Sequence, residues 1–320
     1  MKAYALFSLL LLTSDLPAAA GGVDQAIQLY QHGQFRKAVD LLSERSQSSP
    51  NDAEVRFWLG KSLLKIQKWD DANRHMEKAV ELEPNNAVYH LWLGRAYGAR
   101  ASHASFFTAL GWAKKVVRAF ETAQKLAPDN LDVRFDLMDF YLHAPAVVGG
   151  GRDKAEAEAR AIAELNPSGG YTARALIYEK DKKWDQARLE LVQATSQFPA
   201  RVDTFMDLAD YLLQRHLFED AAANARKALS LDAKLLKAKL ILAAAQIRLG
   251  KDLTEAEITL KSMSQGPLED DDPAFEEVFY WLGQAYLAEG KKQQAREAFG
   301  AALRYNPDYD RAKSGLSQVR

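Results

Sequence analysis

The residue types that most often catalyse reactions or hold metals are sparse and scattered in this sequence. Its 320 residues include no cysteine and six histidines, and no two histidines have the HExxH spacing of a zinc site. The glycine-rich segment at residues 149–154 lacks the GxxxxGK[ST] spacing of a phosphate-binding loop, and no GxSxG motif occurs. We therefore predict that the chain is not an enzyme and that it holds no metal and no cofactor.

The composition limits which fold classes and which kinds of partner are possible. Lysine and arginine number 42 against 43 aspartates and glutamates, so the net charge of −1 creates no basic field that would attract nucleic acid. The hydrophobic content of 48% is enough to bury a core. The chain is rich in helix-favouring residues and has no long run of alternating apolar and polar residues. We therefore expect helices without a sheet, and no nucleic-acid partner.

Residues 53–86 contain the unit from which the chain is built. Two amphipathic patterns fall within these 34 residues, and the second begins near Trp69. Their apolar residues recur at spacings of three and four, which places them on one face of a helix. Gly60 in the first pattern and Ala72 in the second are small enough to let two helices approach closely, and Pro84 ends the second helix. The segment predicts a helix-turn-helix unit.

This unit resembles the tetratricopeptide repeat, whose period is 34 residues and whose pattern includes Trp, Leu-Gly, Tyr, Gly, Ala, Phe, Ala and Pro. Further copies fall in register at residues 19–52, 87–130, 131–167, 168–201, 202–235, 236–265 and 274–309. The resemblance implies an all-α fold, an α-solenoid in which paired antiparallel helices stack into a right-handed superhelix. We expect one curved rod with a concave groove.

The chain divides into four segments. Residues 1–20 combine a basic start, a short apolar stretch and three alanines, as in a secretory signal peptide, so we expect cleavage near Ala20 and export to a bacterial periplasm; a buried first helix is the alternative. Residues 21–265 form an array of about seven repeats, with insertions at residues 98–113 and 143–153. Residues 266–273 are an acidic linker, and residues 274–320 hold the final repeat and a capping helix.

The resemblance also implies a binding surface. In this family the first helix of each repeat lines the groove, and its positions 2, 5, 6, 9, 12 and 13 face an extended peptide or a partner helix. Transferring these positions predicts a groove that includes Phe57, Trp58, Lys61, Lys65, Trp92, Arg95, Phe135, Asp136, Asp139, Asp207, Asp210 and Trp281.

Tryptophan and charge give this groove its expected character. Trp58, Trp92 and Trp281 occupy the same repeat position, where they either anchor a partner or lie buried between neighbouring repeats. The charged residues either orient a bound peptide or form an ordinary solvated face. The basic end would comprise Lys61, Lys65 and Arg95, and the acidic middle would comprise Asp136, Asp139, Asp207 and Asp210.

The known carboxylate clamp of some family members uses an asparagine where this chain has Lys61 and Arg95. Binding of a free peptide C-terminus is therefore not predicted.

The insertion in the third repeat is apolar with a basic flank and contains Phe106, Phe107 and Trp112. It either lengthens both helices of its hairpin and packs internally, or exposes an amphipathic patch to a partner or a membrane. The insertion in the fourth repeat contains Val147 and Val148 and should fold back over its neighbour. We expect the two expanded repeats to form one specialised surface.

Together these patterns predict a non-catalytic scaffold or adaptor that binds another protein or a peptide segment in its concave groove. The alternative is an envelope-associated carrier whose apolar insertion contacts lipid or a cell-wall component. Association with a second copy of the chain stays open.

Overall fold

The computed structural model describes residues 21–319, and the predicted signal peptide at residues 1–20 lies outside the described residues. Within that range the chain forms seventeen α-helices and one short 3₁₀ helix, with no strand. The first sixteen helices form eight successive pairs, and the seventeenth follows the last pair. The prediction of an all-α solenoid is confirmed.

The helices divide into first and second members of the pairs. The first members are α1 (Gly21–Gln31), α3 (Ala53–Lys65), α5 (Ala87–Ser102), α7 (Leu131–His143), α9 (Pro167–Lys180), α11 (Val202–Gln214), α13 (Leu236–Leu249) and α15 (Phe275–Ala288). The second members are α2 (Phe35–Ser48), α4 (Trp69–Leu82), α6 (Phe106–Leu126), α8 (Arg152–Leu165), α10 (Trp184–Gln197), α12 (Phe218–Leu231), α14 (Leu253–Gln265) and α16 (Lys292–Tyr305). The 3₁₀ helix is Ala146–Val148, and the last helix is α17 (Asp310–Ser317).

Local sequence explains where several helices begin and turn. The side chains of Asp52, Asn86 and Asn130 each accept a hydrogen bond of 3.1 Å from a backbone N–H in the first turn of the following helix. Between the two helices of most pairs the backbone passes through a left-handed conformation, as at Gly33 (φ 69°) and Gly290 (φ 77°). These local signals separate one helix from the next.

Glycines let the two helices of a pair come into close contact. A Cβ atom at Gly60 would lie 2.8 Å from the side chain of Met76, and one at Gly94 would lie 2.3 Å from the ring of Phe120. Both distances are shorter than atoms of these types can approach without movement. The predicted role of Gly60 in close helix packing is confirmed, and Gly94 has the same role in the next pair.

The first helices form the inner layer of the array. The first helix of one pair contacts the first helix of the next in six places: α1–α3, α3–α5, α7–α9, α9–α11, α11–α13 and α13–α15. Second helices of neighbouring pairs have no comparable contact within residues 21–319. Because the first helices lie closer together, they form the concave layer, and the second helices form the convex layer.

The two ends of the array are in contact, which the repeat pattern did not predict. The ring of Phe35 in α2 lies 6.3 Å from the ring of Phe275 and 6.0 Å from that of Tyr305, measured between centroids. The backbone N–H of Leu268 donates a hydrogen bond of 2.8 Å to the carbonyl of Gln31. The curved array is therefore closed at its ends, because the first repeat packs against the linker and the last repeat.

Both insertions belong to the helical structure. Residues 98–113 lengthen α5 and α6, and α6 reaches 21 residues. The 3₁₀ helix Ala146–Val148 packs on α6 with Val148 buried, so this loop folds back as predicted. Neither α6 nor any other helix between residues 21 and 319 combines the length and apolar character needed to cross a membrane.

Gly94→Ala should lower the free energy of unfolding by about 1–3 kcal/mol, because the added methyl group forces Phe120 or the helix to move. Gly98→Ala on the same helix is the matched control. No atom lies within 4 Å of a Cβ at Gly98, so the helix preference of alanine should raise stability by up to about 1 kcal/mol. Thermal unfolding followed by circular dichroism measures both changes. Equal effects would contradict the close contact at Gly94.

Candidate binding groove

Polar contacts join successive first helices on the concave layer. Arg95 Nε on α5 donates a hydrogen bond of 2.6 Å to Asp136 Oδ2 on α7. Thr172 Oγ1 on α9 donates one of 2.7 Å to Asp207 Oδ2 on α11. Three of these side chains were predicted to face a bound partner, and the structure places them between neighbouring first helices. They therefore stabilise the packing of the inner layer.

Lys61 lies inside a box of aromatic rings. Its side chain is only 3% exposed. Its Nζ lies 4.0 Å from the ring centroid of Trp58, 4.3 Å from that of Trp92, 5.1 Å from Tyr30 and 5.5 Å from Phe57. Ring faces attract a cation but supply no anionic partner. We call these five residues the Lys61 box.

An acidic segment of the same chain closes this box. Asp270, between α14 and α15, forms an ion pair with Lys61 and accepts a hydrogen bond of 2.9 Å from the Tyr30 hydroxyl. Glu269 accepts a hydrogen bond of 2.7 Å from the Gln31 side chain. Burial lowers the pKa of Lys61, and the hydrogen bond and charge of Asp270 oppose that shift. The buried cation therefore depends on this carboxylate.

The structure corrects the predicted basic end of the groove. Lys61 is paired with Asp270, and Arg95 is paired with Asp136, so neither cation is free to attract a peptide. Lys65 is half-buried, with its Nζ 5.8 and 5.9 Å from two aromatic rings of the first pair. Lys61 and Arg95 each pair with a carboxylate from another element of the chain. The predicted charge distribution did not include these pairs, because it was based on the charges within each helix.

The acidic middle of the groove is not uniform. Asp139 on α7 has a side chain that is 71% exposed, and Asp210 lies 3.5 Å from Lys237. Burial raises the pKa of Asp207 to about 6, although the hydrogen bond from Thr172 opposes the shift. This part of the groove therefore carries less negative charge near pH 6 than its composition indicates.

The three tryptophans at equivalent repeat positions have different environments. Trp281 is 3% exposed and lies between Arg248 and Arg311, whose guanidinium carbons are each 5.1 Å from its ring centroid. Trp58 and Trp92 are half-buried in the walls of the Lys61 box. Trp281 follows the packing alternative, while Trp58 and Trp92 keep part of their surface accessible.

The two phenylalanines of the predicted groove differ in a similar way. Phe57 is buried and stacks on Tyr89 with the ring centroids 4.7 Å apart. Phe135 on α7 is half-buried against the apolar core of the third and fourth repeats. Phe135 is therefore the one of the two that keeps surface for a partner.

The lengthened end of α6 exposes an apolar patch. The side chains of Phe106 and Phe107 are 68% and 84% exposed. Trp112, one and a half turns further along, packs against Tyr97 with the centroids 5.6 Å apart, and Lys115 Nζ lies 4.8 Å from its ring. The insertion therefore packs internally at Trp112 and is exposed at the two phenylalanines.

Sequence reasoning missed the groove residues that lie far apart along the chain. Tyr30 and Asp270 are separated by 240 positions, and one lies in the degenerate first repeat while the other lies in the linker. The acidic run at residues 269–272 is visible in the sequence, but it does not reveal which cation it meets.

Comparisons with known proteins agree with the helix pairs. Tetratricopeptide repeat family models match residues 29–91 and 276–309. A 92-residue segment is 34% identical to Protein O-mannosyl-transferase Tmtc2 of Drosophila melanogaster, covering 28% of this chain and 9% of that protein. The segment therefore spans only a small part of its relative.

The likeness to a solved structure extends over nearly the whole chain. The crystal structure of yeast Tom70 matches with a TM-score of 0.60 at 18% identity, covering 98% of this chain and 66% of that chain. A thermophilic TPR protein of Thermus thermophilus matches with a TM-score of 0.47 at 24% identity, covering 60% of this chain and 98% of that chain. The likeness to the yeast structure shows the fold, and this chain spans just under two thirds of its length.

Asp207→Asn should stabilise the protein at pH 8 and leave its stability unchanged at pH 4. The folded pKa of Asp207 is about 6 against an ordinary value of 3.8, so stability falls as the pH rises through that window. An amide avoids the cost of the buried charge, and we expect a gain of about 1–2 kcal/mol at pH 8. Urea unfolding at both pH values measures it.

Asp129→Asn, in an exposed turn, is the control for this substitution and should change stability little at either pH. A gain from Asp207→Asn that is equal at pH 4 and pH 8 would contradict the raised pKa.

Proposed function

Because this chain is a tetratricopeptide repeat protein, we propose that it is a non-catalytic scaffold that binds a partner protein or an extended peptide along its concave face. The observation that carries the proposal is the inner layer of first helices, which presents aromatic and charged side chains on one surface across several pairs. An extended ligand can contact several repeats of such a surface at once.

The far half of the groove offers room for a ligand. A cavity of about 440 Å³ is lined by Asp210, Glu277 and Trp281, with Arg248 and Arg311 at its sides. Arginine is enriched among residues that dominate binding energy. Because the Trp281 ring is buried, the cavity offers a ligand mainly side chains of both charges, which suit a polar peptide with few apolar anchors.

Several carboxylates of the inner layer are partly buried and can serve in packing and recognition. The carboxylates whose pKa is raised by burial, such as Asp136, Asp207 and Glu277, lie on different helices of the inner layer. We propose that they serve packing and recognition. We also propose that the protein is exported to the periplasm, because residues 1–20 have the sequence pattern of a secretory signal peptide.

Asp139→Lys should weaken partner binding at least about tenfold, because this exposed carboxylate lies on a groove-lining helix and its reversal disturbs charge complementarity. A photoreactive amino acid at position 139 first crosslinks and identifies the partner. Calorimetry with the purified partner then measures the affinity of each variant.

Glu164→Lys on α8 is the matched control, because it reverses an exposed charge on the convex layer of the same repeat. The affinity of this variant for the partner should stay within about twofold of the affinity of the unaltered protein. Equal losses in the two variants, or crosslinks formed only from the convex layer, would refute groove binding.

A second candidate function is favoured by the exposed pair Phe106 and Phe107. Apolar side chains at a helix end, followed by Lys114 and Lys115, are typical of segments that enter a lipid surface. In this second proposal, the protein is an envelope-associated carrier that contacts lipid or a cell-wall component through Phe106 and Phe107.

Sedimentation with phosphatidylglycerol vesicles tests the lipid arm of this alternative. The unaltered protein should sediment with the vesicles, and the double variant Phe106→Ser with Phe107→Ser should stay in solution. Leu189→Ser with Ile258→Ser is the control, since it removes two other exposed apolar side chains and should leave sedimentation unchanged. An unaltered protein that stays in solution eliminates lipid contact by the patch.

A further inference from the structure

The Lys61 box has the chemistry of a recognition site for a carboxylate. A lysine side chain that is 3% exposed has lost most of its hydration, and four surrounding rings replace only part of that interaction. The Tyr30 hydroxyl adds a hydrogen-bond donor aimed at the same point. A cation and a donor that converge in an aromatic box select an anionic group with oxygen acceptors.

The linker occupies this box as a short peptide would. Leu268 is buried at 5% exposure, and its N–H bonds to the carbonyl of Gln31. Glu269 meets the Gln31 side chain, and Asp270 enters the box. The recognised pattern is therefore an apolar residue followed two positions later by an aspartate, which lies in a turn where the Asp272 N–H donates a hydrogen bond of 3.3 Å to the Glu269 carbonyl.

The Lys61 box and the linker segment that occupies it differ in local stability. The five box residues lie on three helices, α1, α3 and α5, which are packed in the inner layer. The occupant lies in a connection without helix between α14 and α15, and its Asp270 side chain is 29% exposed. Releasing this one connection breaks fewer buried contacts than unfolding α1, α3 or α5, so the segment can leave while the three helices stay packed.

We propose that the Lys61 box is the recognition site for an acidic turn segment of the partner protein, and that residues 268–272 occupy it as an internal competitor. This inference rests on the proposed binding function and specifies the partner's chemistry. The carboxylate is a side chain within a segment, so the partner needs no free C-terminus at this site. A partner segment binds by displacing residues 268–272, which opens the contact between the first repeat and the linker.

The test uses the full chain with residues 268–272 replaced by Gly-Ser-Gly-Ser-Gly. The probe is a labelled peptide of residues 265–274, acetylated and amidated so that it carries no terminal charge. Fluorescence anisotropy should show at least about tenfold tighter binding to the replaced chain than to the unaltered chain, because the tethered segment no longer competes.

Two changes test the chemistry of the box. Asp270→Asn in the peptide and Lys61→Gln in the replaced chain should each weaken binding at least about tenfold. Lys37→Gln in the replaced chain is the control, since Lys37 is an exposed lysine of the first pair and should not affect binding. Circular dichroism verifies that each chain is folded.

A milder variant keeps the inference falsifiable if the replaced chain unfolds. Glu269→Gln with Asp270→Asn preserves the length and shape of the linker but removes both carboxylates, and it should also admit the peptide. A peptide that binds neither folded variant overturns the inference and identifies residues 268–272 as a structural tie. If Asp139→Lys still weakens partner binding in that case, groove binding stands without this site.

Discussion

Each helix pair buries its apolar face against the next pair, and this stacking is the interaction on which the molecule depends. A pair is too thin to cover its own apolar residues, so the pairs at the ends of an array need another cover. Here Ala312 and Val319, in and just after α17, are buried against the last pair. Phe35 of the first pair joins the same apolar cluster as Phe275 of the last pair. The last pair is therefore covered by α17, and the first and last pairs also contact each other.

The contact between the two ends of the array places the linker in the groove. The linker that precedes the last repeat is brought onto the inner layer of the first repeats, where Asp270 meets Lys61. A buried lysine without a partner would be costly, because desolvation is not repaid by ring faces alone. The same ion pair therefore stabilises end contact and occupies part of the binding surface. Stability and recognition share one set of residues.

The helix pairs could be predicted from the sequence because their signals are local. Gly60 and Ala72 lie within one repeat, and their spacing alone shows that two helices approach closely. Trp58, Trp92 and Trp281 could be assigned to one repeat position, yet their exposure differs. Exposure depends on neighbours in adjacent repeats, which a periodic pattern does not specify.

The long-range contacts could not be predicted for a related reason. Lys61 and Asp270 are 209 residues apart, and their meeting depends on the curvature summed over eight pairs. The insertion at residues 98–113 allowed two readings because its apolar residues face both ways once helical: Trp112 packs inward, and Phe107 points to solvent. Periodicity predicts the repeating unit, while the closure of the array depends on its accumulated geometry.

The contact between the two ends is the claim that a single distance measurement tests most directly. Arg36 and Arg304 line the same cavity, where the first and last pairs meet. Because the chain contains no cysteine, Arg36→Cys with Arg304→Cys introduces two unique sites for spin labels. Pulsed electron resonance on the labelled protein should give one short, narrow distance distribution. A long, broad distribution would show that the array is an open superhelix and that its ends do not meet.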